Sequence, residues 1–180
     1  MASAFTSVND QVLLRLLGVA AILGGLLRIG SAFIPWAPNV AWLEAFYLVI
    51  DVLLLFGLMG FYFAHRARLG AFGFVAFVIA ESGIAAIVGP DATAFGIDTY
   101  ATGVLVITIG LTLLSLAILA TRGAPWWVAA CWLGSAIVGV GGSALGQAEL
   151  GFFAGGILFG LGFIAAGVAT MNAATPQSGT

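Results

Sequence analysis

Apolar side chains run in long unbroken stretches along this chain, neither in the period-two alternation of a half-buried strand nor in the single stripe of a surface helix. A helix that crosses the hydrocarbon core of a bilayer needs roughly 20 mostly apolar residues. Six segments qualify, at about 11–34, 42–64, 70–89, 100–120, 125–145 and 150–170. Short breaks separate them. Pro35-Trp36-Ala37-Pro38-Asn39 divides the first pair and His65-Arg66-Ala67-Arg68 the second. Pro90 to Thr99 is the longest connection, and Thr121 to Pro125 and Gly146 to Glu149 close the others. The polar stretch 172–180 reads as a flexible tail. Continuous rather than alternating runs argue against a β-barrel. The expected fold is all-α: a polytopic membrane protein, a six-transmembrane-helix bundle making one integral membrane domain over residues 1–180.

The first segment imitates a secretory signal, with Arg15 ahead of an apolar run and the small residues Gly30, Ser31 and Ala32 behind it. Arg28 interrupts that run, and the segment reads as a retained span.

Composition agrees with the pattern. Of the 180 residues, 62% are hydrophobic and 7% charged, against about 25% charged in ordinary soluble domains. Mean hydropathy is +1.19. Twelve charged side chains do not cover a soluble domain of this size. Net charge is −2 and every basic residue is Arg, so there is no basic patch for nucleic acid. One Cys and one His cannot assemble a four-ligand zinc site, nor one chain's bis-His haem. No metal and no cofactor are expected, and Cys131, in an apolar run, reads as a small hydrophobe.

The arginines give a direction. With six alternating spans, Arg15, Arg66, Arg68 and Arg122 share one side, while Asp91, Asp98 and Glu149 lie on the other. The positive-inside rule makes the first side cytoplasmic, with both termini there, in a plasma membrane of the bacterial inner-membrane type. Trp36, Trp42, Trp126 and Trp127 stand near span ends, where interfacial anchoring accounts for them. His65 with Arg66 and Arg68 reads as a headgroup-facing cluster.

There is a hint of duplication. Pro35-Trp36 followed by Trp42-Leu43 is echoed by Pro125-Trp126 followed by Trp132-Leu133, and Ile84-Ala85-Ala86 by Ile164-Ala165-Ala166. Two halves of three spans each would be inverted repeats, an arrangement found in many transporters.

Four charges fall inside the apolar runs: Arg28, Glu44, Asp51 and Glu81. Glu44 and Asp51 are seven residues apart, nearly two turns, so they share a helix face with Tyr47 between them. Glu81 is central in the next span. Antiparallel packing of those two spans would bring Asp51 and Glu81 to similar depth, with Arg28 at a depth comparable with Glu44. A charge at mid-membrane costs about 2.5–3.5 kcal/mol on insertion scales and therefore faces the bundle interior or water. Asp51 and Glu81 are accordingly the candidates for proton exchange or acid–base work. Arg28, Glu44 and Tyr47 are candidate binding groups, and so are Thr108, Thr112 and Ser115, a polar stripe on the fourth span. The structural alternatives are an Arg28–Glu44 pair and hydroxyls bonded within their own helix.

Gly142–Gly146, Gly151–Gly155 and Gly156–Gly160 are small-residue pairs in and around the fifth and sixth spans, suited to close helix packing or to a homo-oligomer. Gly139-Val140-Gly141-Gly142-Ser143-Ala144 fits a dinucleotide-type glycine pattern, yet it follows no strand and opens no βαβ unit.

The surplus of carboxyls favours a small membrane transporter or channel, proton-linked or cation-conducting. One alternative is an intramembrane acid–base enzyme, of isomerase or cyclase type, acting on a hydrophobic substrate. The other is a structural or accessory subunit. The expected partners are the lipid bilayer and a small ion or hydrophobic small molecule, with no nucleic acid.

Overall fold

A computed structural model of the chain describes residues 9–35, 37, 40–89, 93–94 and 96–175. Within them are five α-helices and one two-residue hairpin: α1 (Asn9–Ser31), α2 (Ala41–Ile87), β1 (Thr93–Ala94), β2 (Ile97–Asp98), α3 (Thr99–Thr121), α4 (Trp126–Ala144) and α5 (Ala148–Ala173). The strands pair antiparallel, Thr93 with Asp98 and Ala94 with Ile97. All five helices are long and apolar enough to cross a membrane. Their outward faces carry Leu16, Leu26, Phe56, Phe72, Leu105 and Val140, all exposed. Exposed apolar surface on that scale suits lipid and not water, so the chain is described as an integral membrane protein. Trp36, Pro38 and Asn39 of the first connection, Pro90 and Asp91 of the longest one, and the tail from 176 onward lie outside the described residues.

The sequence led us to expect two helices between Trp42 and Gly89; the structure has one helical element, α2, of 47 residues. The charged stretch at 65–68 does not stop a helix, because Arg and Ala are among the best helix formers. The interruption comes at Gly70, whose φ of 65° and ψ of −166° are non-helical. That conformation is essentially restricted to glycine. Here the element folds back: Tyr62 and Phe77 stack with ring centroids 4.2 Å apart, although 15 residues of straight helix would separate them by about 22 Å. The arms are 41–69 and 71–87. The first is much longer than the 19-residue α4, its counterpart under the apparent duplication. The tail expectation is also corrected in part, since α5 continues to Ala173 and takes in Asn172.

The helices form a closed ring: α1 packs on α2, α2 on α3, α3 on α4, α4 on α5, and α5 back on α1. Glycines set the registers. Gly24 faces Leu53 and Leu54, Gly57 faces Ala21, and Gly60 faces Leu17, so α1 and the first arm of α2 run antiparallel. Gly25 meets Gly160 and Ile164, and Gly18 meets Gly167 and Met171, so α1 and α5 are antiparallel too. Gly83 meets Gly103 and Ile107, and Gly110 meets Ala80, giving the same sense to the second arm and α3. The close approaches leave no room for a Cβ and maximise dispersion contact where hydrophobic drive between helices is absent.

Aromatic rings fill the middle. Phe61, Trp132 and Phe163 are fully buried. Trp132 meets Phe61 edge-on at 5.5 Å and Phe163 at 5.5 Å, both between ring centroids. One interhelical hydrogen bond ties α4 to α5, from Ser135 Oγ to the Gly155 carbonyl at 2.8 Å.

Candidate functional site

The charges inside the apolar runs separate into two kinds. Arg28 lies in the last turn of α1 and Glu44 in the first turn of α2. A cation at a helix C-terminus and an anion at an N-terminus are each favoured by the helix dipole, by roughly 0.3–1 kcal/mol. The Arg28 guanidinium approaches Ser31 Oγ at 3.5 Å, and that hydroxyl donates to the Arg28 carbonyl at 2.8 Å. Glu44 is exposed. Register places Arg28 level with Val49 and Ile50, close to the level of Asp51, whereas Glu44 lies level with the turn after α1. Arg28 and Glu44 form no ion pair: the antiparallel packing sets them about one and a half turns apart along the helix axis.

Asp51 and Glu81 are interior to α2. Asp51 stands ten residues beyond Ala41, about 15 Å into the first arm, is half-buried between Ile50 and Leu54 and is engaged by other groups. Tyr47, one turn earlier, is half-buried, its ring 5.9 Å from that of Phe46. Glu81 is on the second arm. The Tyr62–Phe77 stack aligns it with Leu58, so it sits about 10 Å along the axis from the level of Asp51. The fold-back thus places the two carboxyls on adjacent arms without bringing them to one depth.

Glu81 has the most unusual surroundings. Both of its carboxyl oxygens are buried and neither has a hydrogen-bond partner. Its neighbours in the chain, Ala80 and Gly83, press against Gly110 and Ile107 of α3. This contact places Glu81 level with Thr108 and Ile109. The Thr108 hydroxyl donates to the Val104 carbonyl at 2.8 Å. Ser115 donates likewise to Leu111 at 2.7 Å, and Thr112 is half-buried between them. The hydroxyls of Thr108 and Ser115 thus spend their protons inside their own helix.

Two residues matter more in the structure than in the sequence. His65 turns inward: its Nδ1 lies 2.9 Å from the Phe61 carbonyl and its ring 4.7 Å from that of Phe61. The charged residues beside it in sequence gave no sign of this; only the phase of the helix decides it. Trp132 carries a buried Nε1 with no hydrogen-bond partner, among aromatic faces. Trp42, Trp126 and Trp127 do stand exposed near helix starts, whereas Trp132 is six residues inside α4.

Gly142, Gly151 and Gly155 are consumed in the contact between α4 and α5, and Gly160 in that with α1; Gly156 meets nothing. Gly146 lies in the turn after α4, with φ 72°. A depression of about 320 Å³ opens beside that turn, between Val138, Gly142, Gln147, Leu150, Gly151 and Ala154. Neither Asp51 nor Glu81 lines it. Among the described residues, no three His, Cys, Asp or Glu side chains come together to hold a metal.

No protein-family model, curated protein or solved structure matches this chain.

Proposed function

We infer that the chain is a small membrane transporter or channel that moves protons or small cations, with Glu81 as the exchanging group and Asp51 as a second acidic station about 10 Å away along the fold-back. The observation that carries this is the Glu81 carboxyl: buried at both oxygens, bonded to nothing, and set in an apolar seam. An unpaired carboxylate in hydrocarbon surroundings costs several kcal/mol. It must be neutralised by something that arrives, and a proton or small cation is what fits a seam this close. The dipole-stabilised Arg28 and Glu44 need no such partner.

The fold-back at Gly70 supports six crossings rather than five. A straight α2 would extend about 70 Å, more than twice a hydrocarbon core. Antiparallel register between the successive helices on either side of Gly70 agrees with alternating passes. With six passes Arg15, Arg66, Arg68 and Arg122 share one face, and on the positive-inside rule we take both termini to lie in the cytoplasm of a bacterial cell.

A lipid-soluble carbodiimide tests the assignment. In reconstituted protein it should form an adduct at Glu81, detected by peptide mass spectrometry, and stop cation movement in step with labelling. Labelling of Glu81 with flux intact would sink the proposal.

A further inference from the structure

Arg68 and Arg122 come from different connections, 54 positions apart in sequence, yet Gly123, the residue after Arg122, packs against the Arg68 backbone. Arg68 lies in the last turn of the first arm of α2, two residues before Gly70. Arg122 caps α3 in the left-handed conformation, with φ 52° and ψ 30°. Gly123 joins them: a Cβ there would lie 3.0 Å from Arg68 Cβ and 3.1 Å from its carbonyl carbon. The turn is held by the Gly123 N–H, which donates to Thr121 Oγ1 at 3.1 Å. Both arginines are exposed, and among the described residues no carboxylate pairs with either. Trp126 and Trp127, 66% and 45% exposed, begin α4 only a few residues on.

Two exposed arginines on neighbouring stretches of backbone, neither paired with a carboxylate, make a local positive potential that attracts an anion. Guanidinium groups match phosphate geometry. The position selects the source of that phosphate: the corner lies at the ends of apolar helices, beside exposed tryptophans of the kind that sit at headgroup level. We propose that the Arg68–Arg122 corner is a binding site for the phosphodiester of an anionic phospholipid. The site is independent of the transport reading, since it shares no residue with Asp51 or Glu81.

The test titrates purified protein in a neutral detergent with dioleoylphosphatidylglycerol or dioleoylphosphatidylcholine and counts bound lipid by native mass spectrometry. Wild type should prefer the anionic lipid. Arg68→Gln and Arg122→Asn should each weaken it about fivefold, as expected for one Arg at an anionic surface, with the zwitterionic lipid unaffected. Asn is chosen because it tolerates the left-handed conformation. Arg122→Lys, which keeps the charge, should retain most of the preference and guards against a folding defect. Arg15→Gln, a cation on α1 that belongs to neither connection forming the corner, should change nothing. Equal binding of the two lipids by wild type would overturn the proposal, as would an Arg15→Gln effect matching that of Arg68→Gln. Inorganic phosphate that displaces the anionic lipid at equal concentration would move the site to a free anion and overturn the lipid assignment.

Discussion

Gly110→Ala probes the seam beside Glu81. A methyl at Gly110 would lie 2.5 Å from Ala80 Cα and 2.7 Å from Ala80 Cβ, with the Ala80 nitrogen nearer still. Ordinary contact begins near 3.4 Å, so α3 and the second arm of α2 must part by about 1 Å. The obstacle is mainly backbone, so no side chain can swing aside, and overpacking of this kind costs about 1–3 kcal/mol. Alanine also gains up to about 1 kcal/mol of helix propensity over glycine, which would blur a single measurement. Gly156→Ala supplies the correction, because a Cβ at Gly156 meets nothing within 4 Å while the propensity gain is the same. The quantity to measure is the difference between the two variants in equilibrium unfolding from mixed neutral-detergent and dodecyl sulfate micelles. Gly110→Ala should be less stable than Gly156→Ala by about 1–3 kcal/mol. Equal stabilities would refute the seam as described, and with it the enclosure of Glu81.

Three further outcomes follow from the same geometry. Gly70→Ala forces a side chain into a glycine-only conformation and should cost on the order of 1–3 kcal/mol in the same unfolding assay; an unchanged midpoint would mean that the interruption lies elsewhere. Trp132→Ala empties the middle of the ring and should lose about 3–5 kcal/mol, with Trp132→Phe losing much less, since only the buried Nε1 and part of the ring go. Cysteines placed at Tyr62 and Phe77 in a Cys131→Ala background should be bridged within one chain by a short bifunctional thiol reagent; bridging only between chains would contradict the fold-back.

Much of this was legible in the apolar runs, because length and continuity alone decide whether a helix suits a bilayer. The ends of α1, α3 and α4 fall within a few residues of where composition changes. The interruption in α2 was harder to place. Charge at Arg66 and Arg68 marks a surface but does not break hydrogen bonding, and the helix continues until Gly70 permits the turn. The acids were legible as a short list, whereas their relations were not. Whether Asp51 lies opposite Glu81, and whether Arg28 meets Glu44, depends on the register of packed helices. That register is set by close contacts such as Gly57 on Ala21 and Gly110 on Ala80, which no local pattern encodes. Helix phase, equally invisible without the packed partners, turns His65 inward and buries Trp132. Thr108 and Ser115 illustrate a third limit: a polar stripe reads the same whether its hydroxyls face a hydrated path or bond one turn back, as these two do.

The most direct test of the role given to Glu81 is cation movement into dye-loaded proteoliposomes under an imposed potassium diffusion potential. Wild type, Glu81→Gln and Glu44→Gln would be compared at equal reconstituted density, with protons, sodium and potassium offered in turn. The expected result is flux of one of these cations in wild type, loss of that flux in Glu81→Gln, and little change in Glu44→Gln, whose exposed carboxyl sits at a helix end. Glu81→Gln vesicles that conduct like wild type, or wild-type vesicles no leakier than empty ones, would contradict it.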